Sequence, residues 1–322
     1  MPYPKVLVVI PTKNAGKTLE KCLQSVCALD YPNYDVVVVD ANSTDRTHEI
    51  VKRFKKVKLV VEPLTIAGAY NYALRKFKHL IFALTDADCI VPKNWLKLLV
   101  PQVKGDVAAA GGFYKTAPDS NIFSRLVGLE FDARSKRFSE YVSRLNTGNL
   151  VISRDIALKI GGFDEILGAH QDADFGYTLR KNNYKMRYVS EADVYHYHRS
   201  SLGSFFKQQY WYGKEMPKVY FKHRKMIKGD HITSFWMGIQ PFVISLLLAL
   251  SGLAIFQTIS IQVPLLTFLA VLMVYVLESL SLFIKTRSHL SLCLPVIYLV
   301  RAVAWTLGGF SYMINSVIDR IL

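Results

Sequence analysis

Charge is scarce in this sequence, and acidic charge is the scarcest. Only 20% of the 322 residues are charged, below the ~25% of an average soluble domain. Together with 51% hydrophobic residues, this excludes a disordered chain and argues against a wholly soluble one. Cysteine is limited to Cys22, Cys27, Cys89 and Cys293, with no CxxC spacing and no histidine in register. No disulfide framework is implied, and buried free thiols are expected. Glycine (18) and proline (12) stand at ordinary levels, which excludes fibrous and low-complexity chains. No Gly-rich phosphate loop and no G-x-G-x-x-G follows the first apolar run, which disfavours nucleotidyl transfer and nicotinamide chemistry. That run, Val6 to Ile10, is too short for a signal peptide, so the globular part is expected in the cytoplasm.

What is present is basic and unevenly spread. The net charge is +15, from 40 bases and 25 acids, a balance that suits phosphorylated ligands, nucleic acid or an anionic membrane. Residues 235–322 hold two acids (Glu278, Asp319) and four bases (Lys285, Arg287, Arg301, Arg320). A basic globular part is thus followed by an apolar tail. At roughly 150 residues per domain, the length suggests about two domains.

In the globular part, strand patterns at Lys5–Ile10, Asp35–Val39, Val57–Val61 and Leu80–Leu84 alternate with helical patterns at Ala15–Cys27, Asp45–Phe54 and Ala67–Phe77. Apolar strands without polar alternation belong to a parallel sheet covered on both faces, which makes an α/β fold. Ligands bind such sheets beyond the carboxyl ends of the strands. Thr12 and Asn14, Asp40, and Asp86 and Asp88 stand at those ends.

Residues 201–230 interleave aromatics (Phe205, Phe206, Tyr210, Trp211, Tyr212, Tyr220, Phe221) with Lys207, Lys214, Lys218, Lys222, Arg224, Lys225 and Lys228. Pro217 is expected to break any helix there. Because an apolar segment follows at once, an interfacial element on an anionic leaflet is favoured over a nucleic-acid surface. Phe235–Phe256, Val263–Ile284 and Leu292–Ile318 each reach the ~20 residues needed to span a membrane. The loop Gln257–Gln262 is uncharged, whereas Lys285–Ser291 carries Lys285 and Arg287. This places the second loop and the globular part on the cytoplasmic side and the C-terminus outside. Arg301 and Asn315 leave the third segment open between spanning and re-entrant. At 1.5 Å per residue, Glu278 lies about 9 Å and Arg301 about 14 Å deep. The two are therefore expected to pair.

Several clusters carry chemistry. Asp86-Ala-Asp88 follows a strand, and two carboxylates two residues apart on extended chain point the same way. Such a pair suits a hard divalent cation shared with a diphosphate. Asp40-Ala-Asn-Ser-Thr-Asp45 also follows a strand. Its Ser43 or Thr44 is placed to cap the next helix, and Asp40 to accept hydrogen bonds from a base or ribose. Asp172 lies at the start of a helix running to about Asn182, where it complements the helix dipole or acts as a general base.

These stretches resemble a family 2 glycosyltransferase with the GT-A fold. The matching segments are Val9-Ile-Pro-Thr-Lys-Asn14, Val38-Val-Asp-Ala-Asn-Ser-Thr-Asp45, Thr85-Asp-Ala-Asp88, Thr147-Gly-Asn149, Gly161-Gly-Phe-Asp-Glu165, Gln171-Asp-Ala-Asp174 and Glu191-Ala-Asp-Val-Tyr-His196. Their order is the family's, over roughly residues 5–215. The resemblance implies a Rossmann-like, mostly parallel sheet flanked by helices, followed by a helical transmembrane region. It implies that Pro11, Thr12, Asn14, Asp40, Asn42 and Gly68 surround the nucleotide sugar with Asp86, Ala87 and Asp88. A Mn²⁺ or Mg²⁺ ion would be held by Asp88, Asp86 and His196, and Asp172 would be the catalytic base. Gly148, Asn149, Gln171, Gln208 and Trp211 would face the acceptor.

The sequence departs from the pattern at Gln171, where an acid normally precedes the base, and at Ala41. In Gln208-Gln-Tyr-Trp-Tyr212 the family's arginine and tryptophan are replaced by Trp211 and Tyr212. With only three tail segments, this argues against processive polysaccharide synthesis. Transferases that extend lipid-linked saccharides are closer, and a polyprenyl-phosphate sugar synthase is the other alternative. The expectation is a multi-pass membrane protein with three parts: a cytoplasmic GT-A domain (1–200), an interfacial segment (201–232) and three helices (233–322). It would be an inverting hexosyltransferase taking a nucleotide-diphosphate-sugar donor and a lipid-linked or saccharide acceptor, with membrane lipids and no nucleic acid as partners. A scaffold with a retired transferase domain is disfavoured by the intact Asp86, Asp88 and Asp172.

Overall fold

A computed structural model describes residues 3–135 and 138–321. The chain divides into two compact units, residues 1–119 with 137–197, and residues 120–136 with 198–322. Residues 120–136 lie within the stretch read from sequence as the catalytic domain, yet group with the C-terminal helices.

The first unit is built on strands β1 (Val6–Thr12), β2 (Tyr34–Asp40), β3 (Val57–Val61), β4 (Ile81–Thr85), β5 (Cys89–Ile90) and β6 (Val107–Gly111). They are followed by β7 (Tyr114–Thr116), β8 (Tyr141–Val142), β9 (Asn149–Ser153), β10 (Lys185–Tyr188) and β11 (Val194–His196). Its helices are α1 (Leu19–Cys27), α2 (Thr47–Lys52), α3 (Ile66–Lys76) and α4 (Trp95–Leu99), then α6 (Arg154–Lys159) and α7 (Gln171–Lys181). The helix between them in sequence, α5 (Ile122–Ser135), belongs to the second unit with α8 (Leu202–Lys222), α9 (Phe235–Ile255), α10 (Gln262–Thr286) and α11 (Leu294–Ile321).

The main sheet has the order β3-β2-β1-β4-β9-β6-β10-β8, and β5-β11-β7 form a second, smaller one. Strands β3, β2, β1 and β4 are mutually parallel, while β9 runs antiparallel to both β4 and β6. Strand β1 is buried along its whole length. Val6, Val8 and Ile10 face a core with Leu19, Leu23 and Val26 of α1. Leu7 and Val9 face the opposite core with Ala73 and Leu74 of α3 and Phe175 of α7. Two filled faces explain the unbroken apolar run, each such side chain contributing about 1.5–3 kcal/mol on burial.

The strand pattern at Lys5–Ile10 stops short of the observed β1, which continues through Pro11 to Thr12. Pairing with β4 stops at Val9 opposite Leu84, while pairing with β2 continues to Thr12 opposite Asp40. Pro11 therefore sits where one side of the strand needs no ladder donor. A second correction concerns α2, which neither Ser43 nor Thr44 caps. Arg46 holds the N-cap position, and the Thr47 amide donates to Asp45 Oδ1 at 3.0 Å. The thiols also differ from expectation: Cys22 and Cys89 are buried, but Cys27 is half-buried and Cys293 exposed.

In the second unit, Pro217 does not break its helix, since α8 runs through it to Lys222. The reason lies in packing against α11. A Cβ on Gly213 would lie 2.5 Å from the Trp305 backbone, and one on Gly308 only 2.2 Å from the Tyr210 carbonyl. Two glycines thus allow the helix backbones to touch, and this contact outweighs the ladder bond that Pro217 removes. Trp305 Nε1 adds a hydrogen bond to Gln209 Oε1 at 2.9 Å.

Arg301 has a partner that its depth alone did not indicate. It is 2% exposed and pairs with Glu130 of α5, which also accepts from Arg134 Nη2 at 2.6 Å. Glu130 lies about 170 residues earlier in the chain, outside the three apolar segments. Glu278, the expected partner, occupies an exposed position on α10. The segments Phe235–Ile255, Gln262–Thr286 and His289–Asp319 are each long and apolar enough to cross a membrane.

Candidate active site

Because β1, β2 and β4 are parallel, their carboxyl ends bring three loops to one edge of the sheet. The first two loops are stitched together. The Asn14 amide donates to Ser43 Oγ (2.7 Å), the Thr44 amide to Asn14 Oδ1 (2.8 Å) and the Gly16 amide to Asp45 Oδ2 (2.9 Å). Asn14 and Asn42 hold left-handed backbones, φ 50° and 55°, which asparagine tolerates better than most residues. Asp40 is fully buried and accepts from the Ser43 amide (2.8 Å) and hydroxyl, with His48 Nε2 2.7 Å away. Its carboxylate therefore shapes the loop. Pro11 and Thr12 are buried beneath it, with Thr12 Oγ1 on the Ile10 carbonyl at 3.3 Å. Gly68 opens α3, and its amide donates to the capping Thr65 Oγ1.

Asp86, the buried Ala87 and Asp88 fill the turn between β4 and β5. Asp86 faces two phenols: Tyr70 donates to Oδ1 over 3.4 Å and Tyr114 to Oδ2 over 3.3 Å. Burial pushes the Asp86 carboxyl well above the ordinary carboxylate range, and the charges of Asp88 and Asp172 add to this against the two phenols. Asp88 instead meets His196, with Oδ1 and Nε2 3.5 Å apart. Strand register brings them together, since His196 on β11 pairs with Cys89 on β5.

Asp88 and His196 are partly exposed, 30% and 16% at the side chain. One carboxylate and one imidazole at a solvent-reached rim fit a hard divalent cation that takes its other ligands from phosphate and water. The Cys89 sulfur also lies within 4.8 Å of both ligand atoms. However, it is fully buried in the α1-side core, and burial raises its thiol well above the usual range. Asp88 and His196 are the accessible donors that could hold such an ion, with Asp86 in the same turn.

Asp172 occupies the first turn of α7 and is half-buried, whereas Asp174 is 2% exposed. Gln171 is the first residue of the helix, and His170 before it holds a left-handed backbone, φ 63°. The preceding Gly-Gly-Phe-Asp-Glu turn is clamped to α3 by Asn71. Its amide nitrogen donates to the Phe163 carbonyl and Glu165 (2.8 Å each), and its oxygen accepts from the Phe163 amide (2.9 Å).

Two residues expected at the acceptor also make close contacts within the fold. A Cβ on Gly148 would lie 2.3 Å from both Asp86 Oδ2 and Tyr114 Oη, so this glycine makes room for that pair. Asn149 is fully buried. Its nitrogen donates to the Phe113 and Ala192 carbonyls (3.2 and 2.9 Å), and its oxygen accepts from Trp95 Nε1 (2.8 Å). Gln208 and Trp211 lie on α8 in the second unit, Gln208 half-buried and Trp211 43% exposed. Tyr70 and Tyr114 were missed by the sequence reading. They stand outside any motif and reach Asp86 only through the fold.

A mostly parallel sheet flanked by helices, with the Asp-x-Asp turn and His196 near the strand ends, is a GT-A fold. The mannosyltransferase PcManGT from Pyrobaculum calidifontis, solved in complex with GDP-Man and Mn²⁺, shares that fold. Its TM-score is 0.61 at 22% identity, over 95% of this chain and 87% of that one. Residues 7–160 match the Glycosyl transferase family 2 model. The chain is a glycosyltransferase of the hexosyl-transferring class. Among its relatives is Glycosyltransferase AglE of Haloferax volcanii, 26% identical over 73% of this chain and 80% of that protein. Another, from Methanococcus voltae, is a dolichyl N-acetyl-α-D-glucosaminyl phosphate 3-β-D-2,3-diacetamido-2,3-dideoxy-β-D-glucuronosyltransferase, 23% identical over 97% of this chain and 98% of that one.

Proposed function

We propose that this protein is an inverting, metal-dependent glycosyltransferase that moves one sugar from a nucleotide-diphosphate-sugar to a lipid-linked acceptor. The carrying observation is the arrangement of the three carboxylates and the histidine: Asp86 and Asp88 in the turn after β4, Asp88 beside His196, and Asp172 in the first turn of α7. Asp172 accepts the proton of the acceptor hydroxyl as its oxygen bonds to the anomeric carbon, and the nucleoside diphosphate leaves from the opposite face. Asp88 and His196, with Asp86, would hold a divalent cation, which would supply positive charge against the departing diphosphate.

A lipid-linked acceptor is supported by the Methanococcus relative, whose name specifies a dolichyl phosphate sugar, and by the three apolar helices. We assign these helices as membrane spans, with the catalytic unit on the cytoplasmic side. Exposed Phe221 and Ile227, interleaved with exposed Lys222, Arg224, Lys225 and Lys228, suit an anionic leaflet at the start of the first span.

The test is Asp172→Asn, which keeps the shape and removes the base. It is expected to leave nucleotide-sugar affinity intact and to lower turnover by roughly 10²-fold or more. Asp174→Asn should affect stability rather than chemistry. Near wild-type turnover in Asp172→Asn overturns the mechanism.

A further inference from the structure

We propose that Tyr114 is a positioning residue that couples Asp86 to the Asp88–His196 pair. The inference rests on the reading of that pair as a metal site. Tyr114 meets both halves of the site with different parts of one side chain. Its hydroxyl donates to Asp86 Oδ2 over 3.3 Å. Its ring stacks on the His196 imidazole, with centroids 4.5 Å apart and planes 12° from parallel. The backbone repeats the link, because β7 and β11 are neighbours in the small sheet and Tyr114 pairs with Val194, two residues before His196.

The surroundings keep this side chain in one place. Tyr114 is 8% exposed, and its ring also stacks against Phe113, centroids 6.0 Å apart. Gly148 leaves room for the contact, since any Cβ there would lie 2.3 Å from both oxygens. A 3.3 Å bond is long for O–H···O, as expected of a site that tightens when charge is bound. The hydroxyl orients the Asp86 carboxylate, and the ring fixes the plane of the imidazole that would ligate a cation. One residue thereby sets the spacing between the donor-side and metal-side groups.

The two parts separate by substitution. Tyr114→Phe removes the hydroxyl and keeps the stack, and Tyr114→Leu removes both. Mn²⁺ affinity of the full chain in detergent is read from the loss of the free-ion electron paramagnetic resonance signal, without donor. Nucleoside-diphosphate affinity is read by calorimetry at saturating Mn²⁺. Tyr114→Phe is expected to keep Mn²⁺ affinity within about threefold and to weaken nucleotide binding roughly tenfold. Tyr114→Leu is expected to lose roughly tenfold in Mn²⁺ affinity as well. Gly148→Ala, which pushes on the same two oxygens, should reproduce the Tyr114→Phe pattern. Equal losses of metal in Tyr114→Phe and Tyr114→Leu, or wild-type values in both, overturn the coupling while leaving the metal site standing. A wild-type chain that binds no Mn²⁺ overturns the site and the coupling together.

Discussion

Asn149→Leu separates an acceptor contact from a buried brace. The Asn149 side chain makes three hydrogen bonds and is fully buried. Leucine is close in size but can make none of them. The Phe113 carbonyl retains the Val194 amide at 3.0 Å, so it is not orphaned. Trp95 Nε1, on the fully buried Trp95, and the Ala192 carbonyl lose the bonds that Asn149 makes. At about 1–3 kcal/mol for each buried group left unsatisfied, the cost is about 2–6 kcal/mol. That is a large share of a typical stability of about 5–15 kcal/mol. For a unit of this size it corresponds to a fall in melting temperature of roughly 5–20 °C. The assay is thermal unfolding of the full chain in detergent, followed by Trp fluorescence, with acceptor KM measured well below the transition. An unchanged melting temperature with a raised acceptor KM would refute the brace and restore the acceptor role implied by the family resemblance.

Two further expectations follow from the geometry. Asp45 accepts from the Thr47 hydroxyl and from the Gly16 and Thr47 amides, and the hydroxyl bond chiefly lowers its carboxyl below the usual range. A lowered folded pKa gives stability that is present above the unfolded value, ~4, and lost as pH falls through the folded one. Melting curves between pH 5 and about 2.5 should therefore fall less steeply for Asp45→Asn than for wild type, and parallel curves would remove Asp45 as the cause. Gly213→Val places a side chain against the Trp305 backbone, where even a Cβ lies 2.5 Å away. It should cost about 1–3 kcal/mol or more through overpacking, visible as a lower melting temperature or lost expression, and an unaffected variant would show that α8 and α11 can slide apart freely.

Local pattern was sufficient wherever neighbours in sequence do the work. The apolar run of β1 requires two covered faces, and a buried strand between α1 and α3 meets that need. The Asp-x-Asp turn was legible because a carboxylate pair after an apolar strand lies at a sheet edge in any α/β fold. Three apolar stretches near Phe235, Val263 and Leu292 could only be long helices, since length and hydropathy are local quantities. Tertiary structure decided the rest, because a partner's identity depends on register and packing between distant segments. Pro217 stays helical because Gly213 and Gly308 let two backbones touch. Arg301 finds Glu130 because α5 joins the C-terminal helices. His196 reaches Asp88 only through the pairing of β11 with β5, and Tyr114 reaches both Asp86 and His196 only because β7 lies beside β11. Asn149 sits in a family motif, yet its surroundings, Trp95 and the Phe113 and Ala192 carbonyls, make it a brace. A motif specifies which groups are present, and the hydrogen bonds that use them up are settled by what the fold packs around them.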